Sequence, residues 1–314
     1  MVFVIRRILQ SALVVLVMSL VVFVGVNVVG DPVHILISDD MTQEEVERFV
    51  RQLGLDRPLH EQYLHFLANA ARGDLGNSFV HGEPALKLIL ERMPATLELA
   101  FAAFLLAVIV GIPLGMYAGL KPESPASRAI MAGSILGFSL PTFWVGLMLI
   151  MVFAVILGWL PSTGRGEFMT WDGLRHLALP AINLALFKMA LVTRLARAGT
   201  REAALQDYVK FARAKGLSPS RVVLVHVLKN ILVPVVTVLG LELGGLIAFS
   251  VVTETVFAWP GMGKLLIDSI QRLDRPVVVA YLVITVLMFV VINLIVDLLY
   301  AVLDPRVRLK EAKA

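Results

Sequence analysis

TRLARAGTREAALQDYVKFARAKGLSPSRVVLVHVLKNILVP, Thr193 to Pro234, is the one long basic segment of the chain, and it lies between two long apolar runs. It carries Arg194, Arg197, Arg201, Lys210, Arg213, Lys215, Arg221 and Lys229 against Glu202 and Asp207. A polar connection beside the membrane that is this rich in Lys and Arg belongs on the cytoplasmic side. Within it, Gln206 to Ala214 reads as a short helix with an apolar stripe through Tyr208, Phe211 and Ala212, and with Lys210 and Arg213 elsewhere. Gly216 stops that helix. Ser218-Pro219 starts another, from about Ser220 to Asn230, which leads into the next apolar run. Two short helices meeting at a glycine make a knob that projects from the membrane. Such a knob either enters a cleft on a soluble partner or is an ordinary solvated linker.

The 314 residues are 58% hydrophobic and 17% charged, with a mean hydropathy of +0.83. Soluble domains are nearer a quarter charged and less apolar. Long apolar stretches recur from end to end, which predicts an all-α polytopic membrane protein with no large water-soluble domain. The formal charge of +4 does not point to nucleic acid, because the Lys and Arg sit at the ends of apolar spans. The absence of cysteine excludes disulfides, thiolate metal sites and cysteine nucleophiles.

Six spans are predicted. Ile8 to Val29 is apolar over 22 residues, enough to cross the hydrocarbon, and Arg6 and Arg7 hold its N-terminus inside. It reads as uncleaved, with a removed signal peptide as the alternative. Asp31-Pro32 ends it. The polar segment to Pro94 reads as two short helices, one capped by Thr42 with Glu45 and one from His60 to Ala71, then a turn at Gly73, Asp74, Gly76 and Asn77. His60, His65, Asp74 and His81 have no tight metal-ligand spacing and read as solvated positions.

The second span runs from Ala95 to Leu120, started by Pro94 and Thr96, with Glu98 near its outer end and within reach of water. The third runs from about Ala129 to Leu157. Gly133 and Gly137 offer it a close-packing face, and Pro141 is either a structural kink or a gating hinge. Gly158 to Leu177 is an external loop anchored by Trp159 and Trp171. The fourth span begins at Pro180 and contains Lys188, which must line the bundle interior, snorkel, or face a pore. The fifth, Ile231 to Val252, holds Gly240, Gly244, Gly245 and Glu242. That acid is either hydrogen-bonded to a neighbouring helix or pore-facing. Trp259-Pro260-Gly261 is a tight external turn, with Gly263 starting or capping a short helix. The sixth span is Pro276 to Leu299, with Asn293 and Asp297 near its inner end.

Charge supports this orientation. The segments placed inside, 1–7, 121–128, 194–229 and 304–314, hold 16 Lys and Arg in 62 residues, whereas those outside, 31–94, 159–177 and 253–277, hold 11 in 108. The termini are therefore expected in the cytoplasm. No nucleotide-binding P-loop is present; Gly261-Met-Gly263-Lys264 lacks the required pattern. Nothing marks a nucleophile or a dinucleotide site, so the chain is not expected to hydrolyse ATP.

DYVKFARAKGLSPSRVVLVHVLKNILVPVVT, from Asp207 to Thr237, resembles the coupling-loop motif of ABC importer permeases. That motif reads Glu-Ala-Ala, three residues, Gly, nine residues, Ile-x-Leu-Pro. Gly216 matches its glycine and Ala212 its second alanine, while Lys210 and Phe211 replace the acid and first alanine. His226 and Lys229 stand at its Ile and Pro. These departures are similar to the peptide-transporter branch, where Ala-Arg-Ala-Lys-Gly-Leu is usual. The start of the chain, Gly73-Asp74-Leu75-Gly76-Asn77-Ser78, Leu140-Pro141-Thr142-Phe143-Trp144, Thr253-Glu254-Thr255-Val256-Phe257, Trp259-Pro260-Gly261-Met262-Gly263 and Asp304-Pro305-Arg306 all resemble the B-type permease of dipeptide, oligopeptide and nickel importers.

The resemblance implies a type I ABC importer permease fold. It divides the chain into a first segment at 1–30, an external helical insertion at 31–94 that contacts a solute-binding protein, a five-helix core at 95–303 with the coupling loop at 199–229, and a cytoplasmic tail at 304–314. It implies a homologous C-type permease partner, two cytoplasmic ATPases holding ATP and Mg, an external binding protein, and no cofactor in this chain. Tyr208, Phe211, Ala212, Arg213, Ala214, Lys215, Gly216 and Leu217 are the expected ATPase contacts. Lys188, Glu242 and Pro141 are candidates for the translocation path, and Asp74, Asn77, Trp259 and Gly261 for the binding-protein contact. The implied cargo is a dipeptide or short oligopeptide, with glutathione, nickel or an oligosaccharide as alternatives. Two rival readings are an ion-coupled secondary transporter using Lys188, Glu242 and Asp297, and a membrane scaffold with no path.

Overall fold

The computed structural model describes residues 2–29, Glu44 and 57–303. The predicted helix capped by Thr42, the Asp31-Pro32 stop and the tail from 304 lie outside the described residues. Among the described residues ten helices follow in order: α1 Val2–Val29, α2 Leu59–Ala70, α3 Ala85–Leu120, α4 Pro125–Ser139, α5 Thr142–Ile156, α6 Trp171–Leu205, α7 Asp207–Ala214, α8 Lys229–Val256, α9 Met262–Gln271 and α10 Arg275–Leu303. A turn at Pro219–Arg221 and a π-helical turn at Val222–Leu228 run directly into α8. The described residues contain no β-strand, only an isolated bridge between Asn77 and Pro84.

Helices α3 and α6, the Val238–Val256 part of α8 and the Arg275–Val296 part of α10 are each long and apolar enough to cross a membrane. The pair α4 and α5 makes a fifth such span if taken as one broken element, and α1 adds an apolar stretch at Leu9–Gly25. The chain is thus a multi-pass helical membrane protein.

Several spans differ from the sequence reading in where they begin. The second starts at Ala85 rather than at Ala95, with Pro94 inside it. A proline is tolerated in a membrane helix because neighbouring groups re-satisfy the freed carbonyl. The fourth starts at Trp171, where Thr170 Oγ1 accepts from Gly173 N at 3.0 Å, and it carries Pro180 in its interior. The third is not a kinked helix. Leu140 and Pro141 are both extended, and α4 and α5 bend by 109° across them. Proline at 141 biases Leu140 away from the helical region, so the chain breaks there.

The helices fall into two compact units, Met1–Pro94 with Gly261–Val290, and Ala95–Pro260 with Val291–Ala314. In the first unit, Tyr63 of α2 reaches α1, with its hydroxyl 2.9 Å from Ser19 Oγ and 3.1 Å from the Leu16 carbonyl. Phe23 and Phe66 pack around its ring. The buried Asp274 carboxylate accepts from Ser78 Oγ, and from Phe79 N at 3.0 Å, which ties the turn after α2 to the start of α10.

In the second unit α3 and α6 pack closely, and the contact is made by Gly111, Gly115 and Gly119. A Cβ at Gly111 would stand 2.9 Å from Val192 Cγ1, one at Gly115 2.6 Å from the Ala196 Cβ, and one at Gly119 2.7 Å from Thr200 Cβ. The expected close face at Gly133 and Gly137 is open instead: nothing lies within 4 Å of a Cβ at Gly133, and only the Leu186 carbonyl, at 3.8 Å, at Gly137. There α4 meets α6 across a cavity of about 280 Å³, bridged by Ser134 Oγ on the Ala190 carbonyl at 3.0 Å. Small residues permit close approach without requiring it.

Candidate functional site: a helical knob and an intramembrane ion pair

The knob is built by two chain reversals. At Gln206 the chain turns extended and ends α6, and α7 starts at Asp207. At the far end Gly216 takes φ +75°, with its N–H on the Arg213 carbonyl at 2.9 Å and the Leu217 N–H on the Ala212 carbonyl at 3.3 Å. Left-handed backbone of this kind favours glycine. Pro219 then occupies the first turn of the next helical stretch.

The faces of α7 differ from the single stripe read from the sequence. Val209 and Ala212 are buried, while Tyr208 and Phe211 are 41% and 62% exposed. Positions 208 and 211, like 209 and 212, are three apart, so two adjacent stripes share one period. The inner pair joins a packed cluster with Ile112 and Met116 of α3, Val192, Ala196 and Ala203 of α6, Val227 of the turn entering α8, and Ile231 and Val235 of α8 itself. Sequence reading missed Val209. Its β-branched side chain beside a small alanine was the available signal.

The outer stripe is continued by Leu205, 74% exposed, and by Lys215, whose Nζ lies 4.6 Å from the Phe211 ring centroid. Arg213 and Ala214 are exposed and Leu217 is half-buried. Apolar rings rimmed by cations, on an otherwise charged segment, have the composition of a protein-docking surface.

Inside the second unit, Lys188 of α6 forms an ion pair with Glu242 of α8. The lysine side chain is 7% exposed and the glutamate 33%. Lys188 Nζ also lies 5.4 Å from the Phe187 ring centroid and 5.8 Å from that of Phe249. The two charges singled out separately in the sequence thus meet each other, which answers the cost of burying either alone. Pro141 lies at the α4–α5 break, three residues after Phe138, whose ring centroid is 4.5 Å from that of Phe187.

The outer-side candidates divide. Asp74 is exposed and accepts from Gly76 N at 2.9 Å, with Gly73 and Gly76 at φ +82° and +85°. Asn77 is also exposed. Trp259 and Gly261 are buried and present no contact surface. Trp259 Nε1 donates to the Ala95 carbonyl at 2.8 Å. Its backbone N–H goes to the Glu254 carbonyl at 2.8 Å, and the Glu254 carboxylate accepts from Thr96 and Ser250. Their motif is a packing corner. Glu98 is mostly covered: it accepts from Arg165 Nε at 2.9 Å, and its side chain is 11% exposed. Gly261, not Gly263, caps α9.

The profile of the family described as binding-protein-dependent transport system inner membrane component matches residues 111–309, and that of its N-terminal part matches residues 1–100. The chain belongs to this family of inner-membrane transport components. It is 42% identical over 304 residues to the di/tripeptide transport system permease protein DppB of Pseudomonas aeruginosa, covering 89% of this chain and 90% of the relative. It is 41% identical to the oligopeptide transport system permease protein AppB of Bacillus subtilis, covering 97% and 98%. It is 39% identical to the glutathione transport system permease protein GsiC of Escherichia coli, covering 98% and 99%. Among solved structures, the inward-facing MetNI methionine ABC transporter is similar with a TM-score of 0.55 at 17% identity, covering 69% of this chain and 96% of that one. An amino acid ABC transporter matches with a TM-score of 0.52 at 17% identity, over 68% and 94%. The fold is that of ABC importer permeases.

Proposed function

We propose that this chain is one of two permease subunits of an ATP-driven importer that moves dipeptides or short oligopeptides into the cell. The observation that carries the reading is the two-faced α7. Val209 and Ala212 fix it to three membrane helices, and Tyr208 and Phe211 point outward, ready to seat in a cytoplasmic ATPase. The chain has no phosphate-binding loop of its own, so ATP and Mg belong on two partner ATPases. Closure of those partners pushes the knobs, and the path between this subunit and its C-type partner opens alternately to each side. Six spans, with both termini and the knob in the cytoplasm, follow from the placement of Lys and Arg. Asp74 and Asn77, exposed on the outer turn, are the contacts for a solute-binding protein. Lys188, Glu242 and the break at Pro141 lie along the path.

A peptide cargo is favoured by the identity to the di/tripeptide and oligopeptide permeases; glutathione, itself a tripeptide, is the second reading, on the 39% identical relative. The test is uptake of labelled dipeptide and of labelled glutathione by proteoliposomes holding both permeases and both ATPases, supplied with binding protein and internal ATP. Dipeptide uptake that stops on Phe211→Asp, with loss of the co-purifying ATPases, supports the proposal. ATP-independent uptake overturns it.

A further inference from the structure

We infer that the Glu242 carboxylate, anchored by Lys188 and flanked by Phe249, is a docking point inside the translocation path for the cationic amino terminus of the cargo. This rests on the importer reading above. Glu242, Gly245 and Phe249 follow at i, i+3 and i+7 and share one face of α8. Phe249 is 67% exposed. A carboxylate one-third open on a membrane span cannot face acyl chains at tolerable cost. The face therefore lies against water or protein.

The pair is lopsided. Lys188 is closed off between two rings, whereas Glu242 offers a free edge: Oε2 holds the lysine and Oε1 has no partner among the described residues. Gly245 leaves the pair uncovered, since a Cβ there would already stand 3.5 Å from Lys188 Nζ and 3.6 Å from Glu242 Oε2. An anionic acceptor beside an exposed ring face selects a cationic donor, through a charge-assisted hydrogen bond and the ring quadrupole. On a peptide, the α-ammonium is the one cation present whatever the side chains. Holding it lets a single site serve cargo of varied sequence. Lys188 is a positioning residue that orients the carboxylate.

The chain has no cysteine, so Phe249→Cys supplies a single reporter thiol in an importer whose other subunits are cysteine-free. The thiol introduced at position 249 is expected to react from water, several-fold faster with a cationic than with an anionic thiosulfonate. Adding E242Q should abolish that preference. Ala-Ala should slow the labelling, while N-acetyl-Ala-Ala should not. E242D should keep the protection. K188M/E242Q, which leaves no lone buried charge, should lose it and, with Phe249 restored, lower dipeptide uptake by about tenfold. No reaction with either reagent, or equal protection by the acetylated peptide, overturns the inference and leaves the importer reading intact. Absence of peptide uptake by the unsubstituted importer overturns that reading, and this one with it.

Discussion

Gly216 sits at φ +75° with no heavy atom within 4 Å of where a Cβ would stand. A side chain there meets only its own backbone, at a cost of roughly 1–2 kcal/mol. Gly115 is the opposite case. Its φ is unexceptional, but a Cβ would meet the Thr193 carbonyl and lie 3.0 Å from Arg197 N. Backbone cannot yield as a flexible side chain can, so α3 and α6 must part. Gly216→Ala should therefore lower the subunit's stability by about 1 kcal/mol, with Gly216→Asn milder, because asparagine tolerates the left-handed region. Gly115→Val should cost roughly 3 kcal/mol or more. Thermal unfolding of the detergent-purified protein separates the three. Gly216 was legible from the sequence, because a glycine ending a short amphipathic helix has a local cause. Gly115 was not singled out, because the 111/115/119 repeat has the same four-residue period as 133/137. Which repeat closes depends on what the facing helix presents. Val192 and Ala196 approach the first, and a cavity faces the second.

Helix α7 has only eight residues, too few to hold its shape in water unaided, so its order depends on what it is packed against. Val209→Ala leaves a void in the cluster, at about 1–2 kcal/mol. Tyr208→Ala, one residue earlier but on the open stripe, should change stability by less than about 0.5 kcal/mol. Amide hydrogen exchange over residues 207–214 should quicken in the first variant and not in the second. The element's existence and its glycine stop could be read from spacing. Its orientation could not, because both stripes repeat every three residues and only the surrounding helices choose between them. The break at Leu140-Pro141 shows the same limit. Proline marked the position, but a bend of 109° instead of a kink depends on where α5 is held, with a Cβ at Gly146 falling 3.1 Å from Val256 Cγ1.

At the scale of the whole chain, hydropathy and the distribution of Lys and Arg give the membrane class and an orientation. The pairing of Lys188 with Glu242, 54 residues apart, and of Ser78 with Asp274, 196 apart, has no local signature. A membrane-impermeant thiol reagent applied to intact cells should label Asp74→Cys and not Lys215→Cys; reversal of that pattern would invert the topology. Val209 and Ala212 are packed in one cluster with side chains from α3, from α6 and from α8. In the importer proposed above, a thrust delivered by an ATPase to α7 reaches α3, α6 and α8 together. Two glycines inserted between Leu205 and Gln206 would put play into that joint, and nucleotide turnover should then run on while nothing crosses the bilayer.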